Sequence, residues 1–202
     1  ITTTYTWDGI YPRSKTIGNQ VDLYSHIPYI GIDTIIDARG LLTGYNYDLH
    51  GRLKNIYQIH DETVNILNAY DYHIKSADSD TANYQYNYIV DICPLQPTSS
   101  IMFDSQNMCV NNNVMSNTTI TYYDDLGRPY ENVIVGGSPN GSDLVSMNTY
   151  SGLNRSIYKW LPIPIDINGT PITPENFSTQ ANNFYNDSRP YQETRYESSA
   201  LD

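Results

Sequence analysis

The side chains of this 202-residue chain that could carry chemistry are four histidines, two cysteines and a surplus of Asp and Glu. Their spacing argues against most catalytic uses. His26, His50, His60 and His73 are dispersed. His50 and His60 are expected to be able to meet across a hairpin, but no Cys or Glu completes a metal-ligand set around them. Cys93 and Cys109 have neither a C-x-x-C partner nor a local histidine, which speaks against redox or cysteine-nucleophile chemistry. In an oxidising compartment they would close a loop and stabilise it by roughly 3 kcal/mol; two separate buried thiols are the alternative. The run Gly136-Gly137-Ser138-Pro139-Asn140-Gly141 is one residue too long for a nucleophile elbow, and no Lys follows Gly141 as a phosphate loop needs. It reads as a hairpin connection. Asp78-Ser79-Asp80 and Asp166-Ile167-Asn168-Gly169 offer oxygens to a calcium ion, yet their spacing fits no complete EF-hand loop and they read as turns. A glycosidase-type carboxylate pair depends on the fold rather than on spacing, and no pair is singled out. The expectation is a protein that is not an enzyme and carries neither metal nor cofactor.

What recurs instead is a short phrase. Tyr122-Tyr123-Asp124-Asp125-Leu126-Gly127-Arg128 nearly copies Tyr45-Asn46-Tyr47-Asp48-Leu49-His50-Gly51-Arg52, and Thr149-Tyr150-Ser151-Gly152-Leu153-Asn154-Arg155 is an eroded third copy. A phrase repeated with fixed internal spacing marks a repeated supersecondary unit. Alternate tyrosines (Tyr47, Tyr123, Tyr150) suit a strand with one apolar face, and Asp48 and Asp124 are placed to accept turn N–H groups. Gly51 and Gly127 supply the positive φ of a tight reversal, and Asn154 is the residue that next best tolerates it. Arg52, Arg128 and Arg155 follow the turn, where each can lie along a neighbouring ring or reach the Asp.

The elements that would position these phrases are strands nearly throughout. Period-2 patterns are found at 2–7, 42–48, 52–59, 66–74, 118–124, 129–135, 143–150, 155–160 and 191–197, with Tyr84, Tyr86 and Tyr88 alternating between them. Asp61-Glu62, Asn111-Asn112-Asn113 and 136–141 carry reversal chemistry. Thr173 as N-cap, Pro174 and Glu175 predict one short helix over about 174–185, with Phe177, Ala181 and Phe184 on its apolar face. The small, polar 76–83 and the proline-rich 161–173 read as linkers. The predicted organisation is a hairpin region at 1–76, a β-rich connecting segment at 77–117, and a second β region at 118–202 that contains the helix.

Hydrophobic residues make up 39% of the chain, but 20 residues are Tyr, so few aliphatic groups remain for a thick core. Thin, layered packing between hairpins follows, with an extended shape. A net charge of −11 with scattered Lys and Arg excludes the electrostatic footprint of a nucleic-acid or anionic-membrane partner. No apolar stretch approaches the roughly 20 residues that span a bilayer. Trp7 and Trp160 are candidate stacking residues for a sugar ring, which makes a carbohydrate-binding or adhesin module the second reading and an unrecognised hydrolase the third. Open hairpin edges invite pairing between copies, so a homo-oligomer is expected.

The phrase Tyr-Asp-x-x-Gly-Arg resembles the tyrosine-aspartate (YD, or RHS) repeat of large bacterial surface and toxin-delivery proteins. The segment from Ile36-Asp37-Ala38-Arg39-Gly40 to Tyr70-Asp71-Tyr72-His73 resembles a complete unit with flanking strands. The segment running from Tyr122 through Gly136–Val145, Lys159-Trp160-Leu161-Pro162 and Arg189-Pro190-Tyr191 to Tyr196-Glu197-Ser198-Ser199-Ala200-Leu201 is similar to the region that accompanies YD repeats in Bacteroidetes proteins. Residues 77–117 fall outside this resemblance. The resemblance implies an all-β fold of antiparallel hairpin repeats with one short C-terminal helix. It also implies a secreted or cell-surface bacterial parent, neighbouring repeats as partners, and a wall that encloses or displays an effector domain. No export leader is visible, so any such signal is expected to have been removed or to lie elsewhere, and Tyr196 onward resembles the start of another unit.

Overall fold

The computed structural model describes residues 2–75, 85–101, 103 and 115–197. The expected 76–83 linker with Asp78-Ser79-Asp80, Tyr84, Cys109, Asn111-Asn112-Asn113 and the end from Ser198 lie outside the described residues. The chain divides into two compact units, one holding 2–71, 92–101 and 115–116, the other holding 72–75, 85–91, 103 and 117–197.

The first unit is an antiparallel meander. Its strands are β1 (Thr3–Asp8), β2 (Tyr11–Ile17), β3 (Gln20–Ile27), β4 (Gly31–Ile36), β5 (Leu42–Tyr47), β6 (Leu53–His60) and β7 (Thr63–His73), whose last two residues pass into the second unit. Each strand pairs with the next in sequence. Asp61 and Glu62 both take positive φ (47° and 62°), the two-residue reversal whose twist matches flanking strands. β1 is exposed along its whole length and β4 half-buried throughout, so the unit is thin, with Ala69 and Ile92 the buried apolar side chains among its described residues. β2, β3 and β4 were not expected from their sequences. Pro12, Arg13 and Lys15 interrupt the alternation of β2, and its pairing with β3 rather than a buried face holds it in place.

The second unit has a real core. Here β9 (Ser116–Tyr123), β10 (Pro129–Ile134), β11 (Asp143–Tyr150), β12 (Ser156–Trp160) and β14 (Tyr191–Glu193) pair antiparallel in that order, and β8 (Asn87–Pro94) precedes β9. Strict alternation buries one face, made of Ile120, Tyr122, Val133, Val145 and Met147. Ile163 and Ile165 are buried as well. They belong to β13 (Ile163–Ile165), which pairs with the first half of β11. The proline-rich 161–173 is therefore not a linker throughout: Ile163 and Ile165 flank Pro164 and gain more by burial than the missing N–H costs at an edge position.

Helix α1 (Pro174–Tyr185) starts as its sequence predicts, with the Thr173 hydroxyl accepting from the Asn176 N–H and Pro174 in the first turn, and it stops at left-handed Asn186 (φ 49°). Phe177 and Ala181 are buried, but Phe184 stays 57% exposed and meets the Tyr185 ring edge-on, so the apolar face is one turn shorter than its spacing suggests. The described structure is thus antiparallel β with a single short helix. No helix among the described residues is long and apolar enough to cross a membrane.

Candidate functional site

Five reversals share one backbone: 37–41, 48–52, 124–128, 138–142 and 151–155. In each, the first residue's N–H donates to the fifth residue's carbonyl and the fourth N–H donates to the first carbonyl, all at 2.8–3.0 Å. The fourth residue has left-handed φ: Gly40 85°, Gly51 75°, Gly127 74°, Gly141 85° and Asn154 62°. This is a type I turn closed by a left-handed bulge residue, a three-residue hairpin solution that demands Gly or, at some cost, Asn at that place.

Side chains lock the backbone. Asp48 Oδ1 accepts the N–H groups of His50 and Arg52 at 2.9 Å, and Asp124 Oδ1 accepts those of Leu126 and Arg128 at 3.0 Å. The other oxygen takes the guanidinium: Arg52 Nε to Asp48 and Arg128 Nε to Asp124 are both 2.7 Å. Burial pulls these two carboxyls upward, yet the N–H groups and the guanidinium outweigh it and hold both below the usual carboxylate range. Asp37 makes the same N–H bonds to Arg39 and Leu41 and takes its guanidinium from Arg39, the third residue instead of the fifth. Ser151 Oγ keeps the two N–H bonds at longer range, 3.3 and 3.2 Å. A hydroxyl offers Arg155 no second oxygen, and its buried Nε has no acceptor among the described residues.

Within the second unit the turns also reach one unit ahead. The Arg128 guanidinium lies 4.5 Å over the Tyr150 ring and donates to Asn154 Oδ1 at 2.7 Å, while the Tyr150 hydroxyl donates to the Pro129 carbonyl at 2.7 Å. One copy later, Arg155 lies 4.4 Å over Tyr196, whose hydroxyl donates to the Ser156 carbonyl at 2.9 Å. Arginine on ring, and hydroxyl back to the carbonyl just after that arginine, make a two-bond rung. The glycine-equivalent of the third turn, Asn154, therefore serves both the backbone and the rung. Tyr196, Pro129 and Ser156 were missed as rung members because their partners lie more than 20 residues away.

A second cluster ties the segment before the helix to the buried sheet face. The Tyr122 hydroxyl donates to the Gly169 carbonyl at 2.6 Å, the Gly169 N–H donates to Asp143 Oδ2 at 2.7 Å, and the Ile172 N–H donates to the Glu131 carboxylate at 3.1 Å. Glu131 is 1% exposed, and burial, only partly opposed by the Ile172 N–H, pushes its pKa up to about 8. Burial also raises the Tyr122 and Tyr130 hydroxyls, with the Glu131 charge adding to it. Neither acid was singled out in sequence. The available signal was an acid at an alternate position in an otherwise apolar strand face.

The remaining candidate residues scatter. Trp7 is 61% exposed on β1 near Tyr5, whereas Trp160 packs against Tyr191 (4.9 Å) and Phe177 (6.0 Å) and donates to Thr149 Oγ1. Tyr47 donates to the Ile32 carbonyl at 2.8 Å. His50 and His60 stand at opposite ends of β6 and do not meet: His50 lies within the 48–52 turn and His60 closes the strand. Cys93 is exposed on β8, and its pairing with Cys109 lies outside the described residues. Among the described residues no three His, Cys, Asp or Glu side chains converge.

Residues 103–202 match the family described as a domain of unknown function (DUF6443). No curated protein matches the chain. Among solved structures, it is similar to a chain of the TcdB2-TccC3 crystal structure without the hypervariable C-terminal region, at 11% identity over 78% of this chain and 9% of that one, with a TM-score of 0.39. A structure of the Photorhabdus luminescens Tc holotoxin pore with a TccC3 substitution gives 12% identity, 78% and 10% coverage, and a TM-score of 0.38. The chain spans about a tenth of the length of the solved chains it matches.

Proposed function

We propose that this chain is a non-enzymatic structural module of a larger YD-repeat (RHS-repeat) protein of Bacteroidetes type, secreted or displayed on the cell surface, whose stacked hairpins help to enclose or display an effector domain. The rung carries this reading: Arg128 on Tyr150 of β11 and Arg155 on Tyr196, just beyond β14, join each of these turns to the segment ahead of it, with a hydroxyl-to-carbonyl bond closing both. Side chains at the repeat positions are consumed by backbone N–H groups and by one another, which is the pattern of a scaffold. Stability in such an array is a sum of unit and neighbour contributions, so neighbouring repeats of the parent are the natural partners.

The test is to produce the chain alone and with the adjoining repeats of its parent, and to follow its thermal unfolding. The reading expects adjoining repeats to raise the melting temperature of this segment by several degrees, and Arg155→Met to remove part of that gain. An unchanged melting temperature overturns it. A carbohydrate-binding or adhesin role resting on Trp7 and Trp160 has less support, because Trp160 spends its ring on Tyr191 and Phe177.

A further inference from the structure

The sheet of the second unit divides at β11. β13 accompanies that strand as far as Val145 and β12 takes over from Asn148, so neither pairs with Ser146. The connection Trp160-Leu161-Pro162 crosses this fork and walls it, fixed by the Leu161 N–H on the Pro190 carbonyl at 2.9 Å and by the Tyr185 hydroxyl on the Pro162 carbonyl at 2.6 Å. A cleft of about 350 Å³ opens there. Its floor is the sheet face opposite the core, where alternation places Ile134 across from Leu144 and Asn132 across from Ser146. Ile134 is 37% and Leu161 45% exposed, so the cleft presents apolar surface to solvent. Lys159 lines it as well. The cross-strand neighbours of Lys159 are Asn148 and Gln192, both neutral amides, and it makes no ion pair among the described residues. In a chain with 22 Asp and Glu against 11 Lys and Arg, a cation set among amides and apolar groups runs against the surrounding charge. The side chains of Ser146 and Gln192, on the same lining, make no hydrogen bond among the described residues.

The geometry points to a binding site for a medium-chain fatty acid, with its alkyl chain against Ile134, Leu144, Leu161 and Pro162 and its carboxylate at Lys159. Charge complementarity selects the head group. One unpaired cation, with the Ser146 hydroxyl and the Gln192 amide as further donors, answers one carboxylate. A phosphate or a polyanion would call for more cations than this lining offers, and the chain's net charge of −11 opposes it. The walls select the tail, because each methylene moved from water onto apolar side chains adds to affinity. Leu144 and Asn148, the partner of Lys159, stand four residues apart on β11, about 13 Å, which suits a chain of about eight to ten carbons. The volume sits at the lower end of the roughly 300–1,000 Å³ of small-ligand sites. Ser146, Lys159 and Gln192 take no part in a turn lock or a rung, so the inference stands or falls separately from the repeat reading.

The experiment is titration of the full chain, in a Trp7→Phe background, with octanoate, read by Trp160 fluorescence and by calorimetry. Octylamine, octanol, butyrate and acetyl-Leu-Leu are the comparison ligands. Octanoate is expected to bind saturably, and at least tenfold more tightly than octylamine or butyrate. Lys159→Met, at an exposed position, should weaken octanoate about three- to fivefold while leaving octanol binding and the melting temperature unchanged. Leu161→Asp, which sets a carboxylate on the exposed wall, should weaken octanoate more than octanol. Absence of saturable octanoate binding, equal affinity for octylamine, tighter binding of acetyl-Leu-Leu, which carries the same head group on a peptide, or undiminished octanoate binding by Lys159→Met overturns the inference.

Discussion

Replacing Glu131 by Gln should flatten the pH dependence of the second unit's stability. The carboxyl is 1% exposed, receives only the Ile172 N–H among the described residues, and has its pKa pushed up to about 8 from an ordinary 4.5. Because the folded-state value lies above the unfolded one, the folded chain holds a proton between pH 4.5 and 8 that the unfolded chain has already released. Stability is therefore fully present below about pH 4.5 and declines as pH rises to about 8. That difference, at about 1.36 kcal/mol per pH unit, sets a ceiling of about 5 kcal/mol. Water entering around the ionised group trims the ceiling, and about 2–4 kcal/mol is the expected loss. Tyr122, Tyr130 and Asp143 surround the same segment, and all remain in place in the variant. Urea unfolding followed by Trp160 fluorescence in a Trp7→Phe background, at pH 5 and pH 9, reads this unit. The advantage of Glu131→Gln over the parent should widen by about 2–4 kcal/mol between the two pH values. Parallel stability curves would refute the reasoning.

Three further outcomes follow from the turns and the sheet. Gly127→Val should cost more than about 1 kcal/mol, and since an added Cβ meets nothing within 4 Å, the cost is conformational; an unchanged denaturation midpoint contradicts the left-handed assignment. Ser151→Asp should stabilise by about 0.5–1 kcal/mol in chemical unfolding, because it restores the second oxygen that Asp48 and Asp124 offer their arginines, and the gain should vanish when Arg155 is also changed to Met. Gly44→Ala should lower the melting temperature, since its Cβ would run into the ring of its cross-strand partner Tyr57; an unaltered transition means the ring swings aside freely.

The turns were legible where one residue type has one physical use. Gly51 and Gly127 announced positive φ, Asp48 and Asp124 announced side-chain capping, and Asn154 at the glycine place of the third copy confirmed that backbone conformation is what the position requires. The helix was legible for the same reason: Thr173 and Pro174 act locally. Turns 37–41 and 138–142 were not read as members of the set, because each keeps an acceptor three residues before glycine but lacks Arg in fifth place. Non-local facts were out of reach. Ile163–Ile165 becomes a strand only because the edge of β11 is free to receive it, and Phe184 stays exposed although it continues the spacing of the buried Phe177 and Ala181. Glu131 and Asp143 were not singled out, and only the segment folding back over them turns one into a buried titrating group and the other into an amide anchor.

Four of the five reversals satisfy their own backbone N–H groups with the side chain of their first residue, and the guanidinium groups of Arg128 and Arg155 each extend forward to a following tyrosine. A chain assembled this way can lengthen or shorten by whole hairpins through gene duplication or deletion without redrawing the contacts that remain. Erosion is tolerated as well, since the Ser151 copy still closes after losing its acid. Size becomes a quantity that evolution can adjust in steps, independent of what any one copy looks like.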